Sequence, residues 1–425
     1  MKNTMKILFL STNDTRGGAA RATHWLAKGL INCNQDVHMI SQEKMNDDSW
    51  VTKIEKNNFQ KFFDKARPHI DKLPLSFYQD RQKAQWSLNL IKNSKLLSAI
   101  DSYNPDIINL HWIGDGFVPI NLIKNIKKPI IWSLYDMWPF TGGCHYASCE
   151  NGYGYSNSCG TCPQLKSNRM DVSSHIHSRK MKQWNNLDMT IVAPSRWLAN
   201  EAKKSSLFKD LDIKVIPHGT DLNIFKPLNK QMAREILGLD KNKRYLLFGS
   251  GSGLEDKRKG FQYLLPALKK LSLKKDYNDV NILIFGSSEP KNTFDFGFPS
   301  KYLGRLHDDV TLSIIYSAAD LTVTPSTQEA FGMTASESMA CGTPVLAFGV
   351  CGPLDVIDHK INGYLAKPFN IEDLVYGLEW LLNKENTNMI NANSRKKCEL
   401  EFDLKKISQK YVNLYDGILK TEFQK

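Results

Sequence analysis

Two carboxylates, Glu329 and Glu337, are separated by seven residues in the second half of the chain. The run of small and apolar residues from Gly332 to Cys341 predicts a helix, so roughly 10–12 Å would separate the acids along its axis. Amides at a helix start suit phosphate, and carboxylates accept hydrogen bonds from diols. The pattern therefore predicts a site for a molecule with hydroxyls at both ends and phosphates between them, such as a nucleotide sugar. The alternative is a pair of solvated acids favoured by the helix dipole.

The predicted helix lies between two predicted buried strands, because Asp320–Pro325 and Val345–Phe348 are apolar runs with turn residues at their ends. The same strand–loop–helix order recurs in two series, joined by a linker at Pro217–Pro227. The strands of the first series are Lys6–Leu10, Asp36–Ile40, Asp106–His111, Ile130–Leu134, Thr190–Pro194 and Lys214–Pro217. Those of the second series are Tyr245–Phe248, Asn281–Phe285, Tyr302–Leu303, Leu321–Thr324, Val345–Ala347 and Gly363–Leu365. This order predicts an α/β fold in two parallel halves.

The loop after the first strand of each half carries residues suited to phosphate. Gly17 and Gly18 would let the backbone come close to a ligand, although a tight turn without a ligand explains them equally well. The loop from Gly249 to Gly260 is rich in glycine and cations, and its Arg258 or Lys259 could hold a pyrophosphate. A flexible, exposed loop with stray lysines is the alternative.

Polar residues also lie at the carboxyl ends of four strands of the first half. They are His111-Trp112, Tyr135-Asp136, Ser195-Arg196 and His218-Gly219. The carboxyl ends of parallel strands form the edge at which ligands bind, so these side chains are predicted to face a ligand. Capping of the loops is the alternative.

Composition limits the class of protein. The chain has 425 residues, of which 41% are hydrophobic and 24% charged, as in soluble globular proteins of two or three domains. Its apolar runs are too short for a transmembrane helix or a signal peptide, so we expect a cytoplasmic protein. The net charge of +12 favours an anionic partner. The basic, aromatic stretch Trp50–Ser98, interpreted as irregular, predicts either peripheral binding to the inner face of the cell membrane or an ordinary core surrounded by lysines.

Four cysteines lie within nineteen residues of a glycine-rich segment: Cys144, Cys149, Cys159 and Cys162. Four thiolates suit tetrahedral zinc, and a metal would order a loop that has few core-forming residues. Disulfides are disfavoured in the cytoplasm. We therefore expect a structural zinc, with His145 as an alternative ligand and redox-active or reduced thiols as the alternative to a metal.

Several motifs together resemble glycosyltransferase family 4, the retaining GT-B enzymes. They are Glu-x7-Glu, the Gly-Gly loop, Val-Ile-Pro-His-Gly-Thr-Asp at 215–221, Lys-Gly at 259–260, Tyr-Leu-Gly-Arg-Leu at 302–306 and Thr-Pro-Val at 343–345. The segment Asp136–His145 resembles bacterial enzymes that build exopolysaccharide, colanic-acid-type and O-antigen chains. The resemblance covers nearly the whole chain.

The resemblance implies two Rossmann-like α/β/α domains that face each other across a cleft. It implies an acceptor-side domain at 1–218 with a Cys-rich insertion at 142–164, a nucleotide-sugar domain at 228–400, and a terminal helix at 401–425 that crosses back to the first domain. Glu329 should contact the transferred sugar and Glu337 the ribose. The expected donor-binding residues are Gly17, Gly18, Arg258, Lys259, Glu329, Phe331, Gly332, Met333 and Glu337. The expected catalytic residues are Glu329, Lys259 and Asp136, and those of the acceptor side are His111, Tyr135 and Asp136.

The chain departs from the family pattern at two positions. The family usually has Arg directly after the glycine that ends the first strand of the second domain, whereas Ser250 stands here, so Arg258 is expected to replace it. The family often has His before the aspartate that follows the strand Pro129–Leu134, whereas Tyr135 stands here. A phenol can donate a hydrogen bond but does not become cationic near neutral pH.

The resemblance implies a retaining glycosyltransferase that needs no cofactor for catalysis. It would move a sugar from a UDP- or GDP-sugar to a glycan or lipid-linked glycan in bacterial surface polysaccharide synthesis. One alternative is a nucleotide-sugar epimerase of the same fold, which would need no acceptor. Another is a zinc-stabilised, basic nucleic-acid-binding protein, which would show salt-sensitive binding. Because no nucleic-acid-binding module accompanies the charge, no nucleic-acid partner is expected.

Overall fold

The computed structural model describes residues 4–54, 58–148, 153–249, 256–289, 294–306, 308–383 and 387–422, with the side chains of residues 58–63, 153 and 422 left out of the description. The chain divides into two compact units. Unit 1 comprises Met1–Ile216 and Ser408–Lys425, and unit 2 comprises Pro217–Ile407. No helix in the described ranges is long and apolar enough to cross a membrane.

Unit 1 contains a parallel sheet of seven strands in the order β3-β2-β1-β4-β5-β6-β7. The strands are β1 (Lys6–Asn13), β2 (Asp36–Glu43), β3 (Val51–Lys53), β4 (Ile107–Leu110), β5 (Ile130–Ser133), β6 (Met189–Ala193) and β7 (Asp212–Val215). The helices are α1 (Gly18–Asn32), α2 (Asn58–Lys72), α3 (Ser94–Tyr103), α4 (Tyr153–Asn157), α5 (Val172–Trp184) and α6 (Arg196–Lys204). Residues 7–10 of β1 are fully buried, which is typical of a parallel strand covered on both faces.

Unit 2 contains a parallel sheet of six strands in the order β10-β9-β8-β11-β12-β13. The strands are β8 (Arg244–Gly249), β9 (Val280–Phe285), β10 (Ser300–Tyr302), β11 (Leu321–Thr324), β12 (Val345–Phe348) and β13 (Gly363–Ala366). The helices are α7 (Lys230–Ile236), α8 (Phe261–Ser272), α9 (Asp309–Ala318), α10 (Met333–Ala340), α11 (Pro353–Val356), α12 (Ile371–Leu382) and α13 (Thr387–Lys397), followed by the first residues of α14 (Leu404–Glu422). The predicted cap of α12 is present, because the Asn370 side chain accepts the Asp373 N–H.

The stretch Trp50–Ser98 is not irregular, as the sequence had suggested, but contains β3, α2 and the start of α3. The apolar pattern of α2 is hard to recognise in the sequence, because two residues on its buried face are polar. Arg67 is 4% exposed and donates to the Gly116 carbonyl at 3.2 Å. Asp71 is 2% exposed and accepts the Leu88 N–H at 2.8 Å. These buried polar groups have partners elsewhere in the chain, which no local pattern reveals.

Helix α14 begins in unit 2 and continues in unit 1 from Ser408. Within unit 1, its two buried tyrosines bond to polar side chains of the central strands. Asn109 of β4 donates to the Tyr415 hydroxyl at 2.7 Å. Ser133 of β5 lies 3.1 Å from the Tyr411 hydroxyl, oxygen to oxygen. These bonds fasten the end of the chain to the middle of the first sheet.

Each sheet reverses its direction of growth at one point, between β1 and β4 in unit 1 and between β8 and β11 in unit 2. In open parallel sheets the loops that leave such a point diverge, and ligands bind in the crevice between them. The residues expected to do chemistry follow these strands. The topology therefore predicts a ligand site at the loops after β1 and β4 in unit 1, and at those after β8 and β11 in unit 2.

Candidate functional site

The cationic loop of unit 2 lies directly against the segment that follows β11. Gly260 adopts a left-handed conformation with φ +73°, and a Cβ atom there would lie 1.7 Å from the carbonyl oxygen of Pro325. The Thr327 N–H donates to the Arg258 carbonyl at 2.7 Å, which completes the contact. Only glycine allows this approach, so Gly260 brings the neighbouring Lys259 to the end of β11.

Lys259 and Glu329 form an ion pair at this edge of the sheet. The Lys259 Nζ lies 2.7 Å from Oε2 of Glu329, with the side chains 28% and 23% exposed. The Gly352 N–H donates to the Glu329 carbonyl at 2.9 Å and holds the backbone beside the acid. The structure thus brings together two predicted catalytic residues that are seventy positions apart. Both side chains remain open to a ligand.

The two acids of the Glu-x7-Glu motif occupy different environments. Glu329 precedes α10, whereas Glu337 lies inside that helix and is only 2% exposed. The buried hydroxyl of Tyr316 donates to Oε2 of Glu337 at 2.8 Å. Glu337 is therefore an oriented, buried carboxylate, and the alternative of two solvated acids is wrong for it.

The start of α10 is formed by Phe331, Gly332 and Met333. The Phe331 side chain is 1% exposed and packs edge-on against the rings of His218 and Phe402, at 5.4 and 5.3 Å between centroids. Only its backbone is therefore available to a ligand. Burial lowers the pKa of His218 to about 3, so this ring stays neutral behind the helix start.

Arg258, the expected replacement for the family's arginine, is engaged within its own loop. Its Nη2 lies 2.8 Å from Oδ2 of Asp256, whose other oxygen accepts the Arg258 N–H at 3.0 Å. A phosphate at Arg258 would compete with this acid. Ser250, which stands at the position where the family usually has arginine, lies outside the described residues.

The glycine pair of unit 1 lies between β1 and α1. Gly17 has φ +92°, both glycines are exposed, and a Cβ atom on either would meet nothing within 4 Å. The turn therefore leaves open space beside the start of α1. The approach of these residues to a donor phosphate stays a prediction.

The polar residues after β4 and β5 come together around a small cavity of about 10 Å³, which has room for one water molecule or hydroxyl group. Among the residues that line it are His111, Trp112, Tyr135, Asp136, Trp138 and His145. The Tyr135 hydroxyl lies 3.1 Å from Nδ1 of His111 and 2.9 Å from Oγ1 of Thr23. Burial raises the pKa of Tyr135 well above its ordinary value, so the phenol stays protonated.

Sequence reasoning did not identify the partners of Asp136. Its Oδ2 lies 2.6 Å from Nδ1 of His145 and accepts the Trp112 Nε1–H at 2.7 Å. The other ring nitrogen of His145, Nε2, lies 2.8 Å from Oγ of Ser87. Both nitrogens of His145 are thus occupied, so this residue does not serve as a zinc ligand in this conformation.

The cysteine cluster is described only in part, because Cys149 lies outside the described residues. Of the other three, Cys144 and Cys162 are buried and Cys159 is partly exposed. Within the described ranges, no group of three or more His, Cys, Asp or Glu side chains is arranged to hold a metal ion. The four-cysteine zinc site therefore stays a prediction.

Solved structures share this fold along nearly the whole chain. Sucrose-phosphate synthase from Thermosynechococcus elongatus superposes with a TM-score of 0.69 at 18% identity, covering 98% of this chain and 99% of that one. HepE from Anabaena, solved in complex with UDP-glucose, superposes with a TM-score of 0.66 at 16% identity, covering 97% and 100%. Two parallel Rossmann-like sheets with these likenesses define a GT-B glycosyltransferase fold, and the predicted fold class is confirmed.

The sequence also matches the models of two protein families. The model of Glycosyltransferase Family 4 matches residues 16–224, and that of Glycosyl transferases group 1 matches residues 229–397. An uncharacterised glycosyltransferase from Methanocaldococcus jannaschii is 26% identical over 329 residues, covering 74% of this chain and 76% of that protein. The chain belongs to glycosyltransferase family 4.

Proposed function

We propose that this glycosyltransferase moves a sugar from a UDP- or GDP-sugar to a glycan or lipid-linked glycan, with retention of the anomeric configuration. The observation that carries the proposal is the Lys259–Glu329 pair, which lies where the second sheet reverses direction and just before α10. A cation, a carboxylate and free helix amides are the groups that bind phosphate and hydroxyls. Because HepE was solved with UDP-glucose, UDP-sugars are the first donors to test.

Each of these groups would bind a different part of the donor. Glu329 accepts hydrogen bonds from the transferred sugar, and Glu337, oriented by Tyr316, accepts those of the ribose. Lys259 and the amides around Gly332 face the pyrophosphate. A partly exposed ion pair contributes only about 0–1 kcal/mol, so a diphosphate can draw Lys259 away from Glu329 at little cost.

The difficult step is the departure of the nucleoside diphosphate. Lys259 and the helix amides stabilise the charge that develops on the phosphate oxygen as its bond to the sugar C1 breaks. The acceptor oxygen bonds to C1 on the same face, and its proton passes to the departing phosphate oxygen. Glu329 is a positioning group in this scheme and not a nucleophile, and the route uses no cofactor.

The acceptor would bind at the cavity of unit 1 that His111, Tyr135 and Asp136 line. A carboxylate beside aromatic rings suits a sugar, since the carboxylate bonds hydroxyls and the rings cover apolar C–H faces. The likeness of Asp136–His145 to enzymes of exopolysaccharide and O-antigen synthesis supports an acceptor from bacterial surface polysaccharide.

A thermal-shift screen across UDP- and GDP-sugars tests the donor, because a ligand at 100 times its Kd stabilises the folded chain by about 2.7 kcal/mol. NMR of the product then tests retention. Glu329→Gln should keep donor binding and lower turnover about 100-fold or more. Glu379→Ala, which removes a Lys274–Glu379 ion pair of α12, is the control and should keep full activity. Full activity of Glu329→Gln would contradict the proposal, and a new sugar formed from the donor alone would favour the epimerase.

We further infer that unit 1 binds an anionic membrane surface through the 3₁₀ turn Leu73–Phe77. Leu75 is buried, whereas Leu73 is 61% and Phe77 is 87% exposed. Lys65 and Lys83 nearby in the sequence are exposed cations, and the chain carries a net charge of +12. Exposed apolar tips beside cations are the pattern of an interfacial anchor.

Sedimentation with vesicles that contain phosphatidylglycerol tests this inference. The chain should bind at low salt and be released at high salt, because the cations are screened. Phe77→Ser should weaken binding, whereas Leu273→Ser, at an equally exposed leucine of unit 2 (84%), should leave it unchanged. Equal binding by both variants would exclude the turn as the anchor.

A further inference from the structure

Three buried side chains of unit 1 form a continuous line of hydrogen bonds that ends at the cavity. Oγ of Ser87 lies 2.8 Å from Nε2 of His145, and Nδ1 of that ring lies 2.6 Å from Oδ2 of Asp136. Their exposed fractions are 0%, 1% and 6% in the same order. The oxygen of Ser87 also accepts the Asp115 N–H at 2.9 Å.

The hydrogen atoms of this line can be assigned from the groups at its two ends, Ser87 and Asp136. Ser87 accepts a backbone N–H and still has its own hydrogen, which it can donate to Nε2 of His145. At the other end of the ring, an ionised Asp136 can only accept, so Nδ1 of His145 carries a proton and donates it to Oδ2 in this hydrogen bond.

The order Ser–His–Asp is that of a hydrolase triad, but Ser87 is not placed to act as a nucleophile. It is fully buried and does not line the cavity, so no substrate atom can reach it. Asp136 and His145 both line the cavity. Both ring nitrogens of His145 are bonded within the line, so Ser87 and His145 act on a ligand through Asp136.

Asp136 retains capacity for one further hydrogen bond. A carboxylate has about four acceptor positions. Among the described residues, three donors reach it: Trp112 Nε1 at 2.7 Å and His145 Nδ1 at 2.6 Å on Oδ2, and the Trp138 N–H at 2.9 Å on Oδ1. The cavity beside it has room for one hydroxyl group.

We infer that Asp136 is a fixed carboxylate that accepts the hydrogen bond of one acceptor hydroxyl, and that Ser87 and His145 are positioning residues that hold it. The inference rests on the proposed function and names the group of unit 1 that binds the acceptor oxygen. The hydroxyl keeps its proton when it binds Asp136, so no proton is transferred along the line.

The surroundings hold this line in one geometry. The His145 ring is stacked against Trp112 at 5.2 Å and Trp138 at 6.4 Å between centroids, with interplanar angles of 26° and 24°. The Trp138 Nε1–H also donates to the Ser87 carbonyl at 2.7 Å. At Gly114, a Cβ atom would lie 2.7 Å from Oγ of Ser87 and 3.0 Å from the Trp112 ring, so a side chain there would displace both. A carboxylate supported in this way is preoriented for its ligand.

The test measures the hydrolysis of UDP-glucose by the full chain. Water is the acceptor, and the rate is followed through the release of UDP. In His145→Ala, the KM for UDP-glucose should stay within about twofold while kcat falls roughly 10- to 100-fold, because a small displacement of a positioning group has that effect. In His145→Asn, an amide N–H can replace Nδ1–H, so most of kcat should return. Ser87→Ala should fall between the two.

His177→Ala is the matched control, since His177 is 2% exposed and its Nε2 lies 3.1 Å from Oγ of Ser206, with no carboxylate in the pair. It should keep kcat at the wild-type value. NMR of histidine rings labelled with ¹⁵N should show a proton on Nδ1 of His145.

Two results would overturn the inference: a His145 ring that carries no proton on Nδ1, or equal kcat values for His145→Ala and the wild type. A wild-type chain that neither binds nor turns over any UDP- or GDP-sugar would instead overturn the proposed function. The two failures are therefore distinguishable.

Discussion

The substitution Gly260→Ala tests the contact that places Lys259 beside Glu329. A Cβ atom at residue 260 would lie 1.7 Å from the Pro325 carbonyl oxygen, so one of the two segments must move. The left-handed conformation (φ +73°) costs an alanine about 1–2 kcal/mol, and overpacking adds about 1–3 kcal/mol. The free energy of unfolding should fall by about 2–5 kcal/mol, which lowers the Tm of a domain of this size by roughly 4–20 °C.

Gly238→Ala is the matched control, because Gly238 lies in the same unit with φ +60° but a Cβ atom there meets nothing within 4 Å. It should lose only the about 1–2 kcal/mol of the left-handed conformation. Alanine reduces the entropy of the unfolded chain equally at both positions, so this effect cancels in the comparison. The difference between the variants therefore measures the contact with Pro325.

Calorimetry of the full chain gives the Tm, and titration with UDP-glucose gives donor affinity. Gly260→Ala should weaken donor binding about tenfold or more, because Lys259 moves with the loop, whereas Gly238→Ala should bind normally. If both variants lose the same stability and bind the donor equally, the close approach of the loop to β11 is refuted.

Tyr316→Phe removes the donor to Glu337 and should lower the free energy of unfolding by about 1–3 kcal/mol and weaken UDP binding; an unchanged Kd for UDP would contradict the ribose role of Glu337. Burial lowers the pKa of Lys180 to about 7 from 10.5. Between these values the unfolded chain binds more protons, so urea titrations should show stability rising with pH by up to about 1.4 kcal/mol per unit, and Lys180→Met should abolish that rise. Metal analysis of the purified chain should find one zinc per chain, and its absence would refute the site. The predicted ligands are Cys144, Cys149, Cys159 and Cys162.

Local patterns in the sequence were sufficient for most of the fold. Buried parallel strands are continuous apolar runs, so β1, β4, β8 and β11 could be located from hydrophobicity and turn residues alone. Helix α2 could not, because Arg67 and Asp71 on its buried side interrupt the apolar stripe. Their partners, the Gly116 carbonyl and the Leu88 N–H, are supplied by distant segments.

The sequence by itself determined the Glu-x7-Glu motif, the order of strands and the family, because each depends on residue types at short, regular spacing. Only the tertiary structure decided which side chains meet. Segment 85–87 pairs with segment 143–145 through the Trp86–Cys144 bridge, and this pairing brings Ser87 to His145 across fifty-eight positions. Likewise, the close approach of Gly260 to Pro325 sets Lys259 against Glu329. Such contacts depend on how whole segments cross, and no local spacing of residues encodes that crossing.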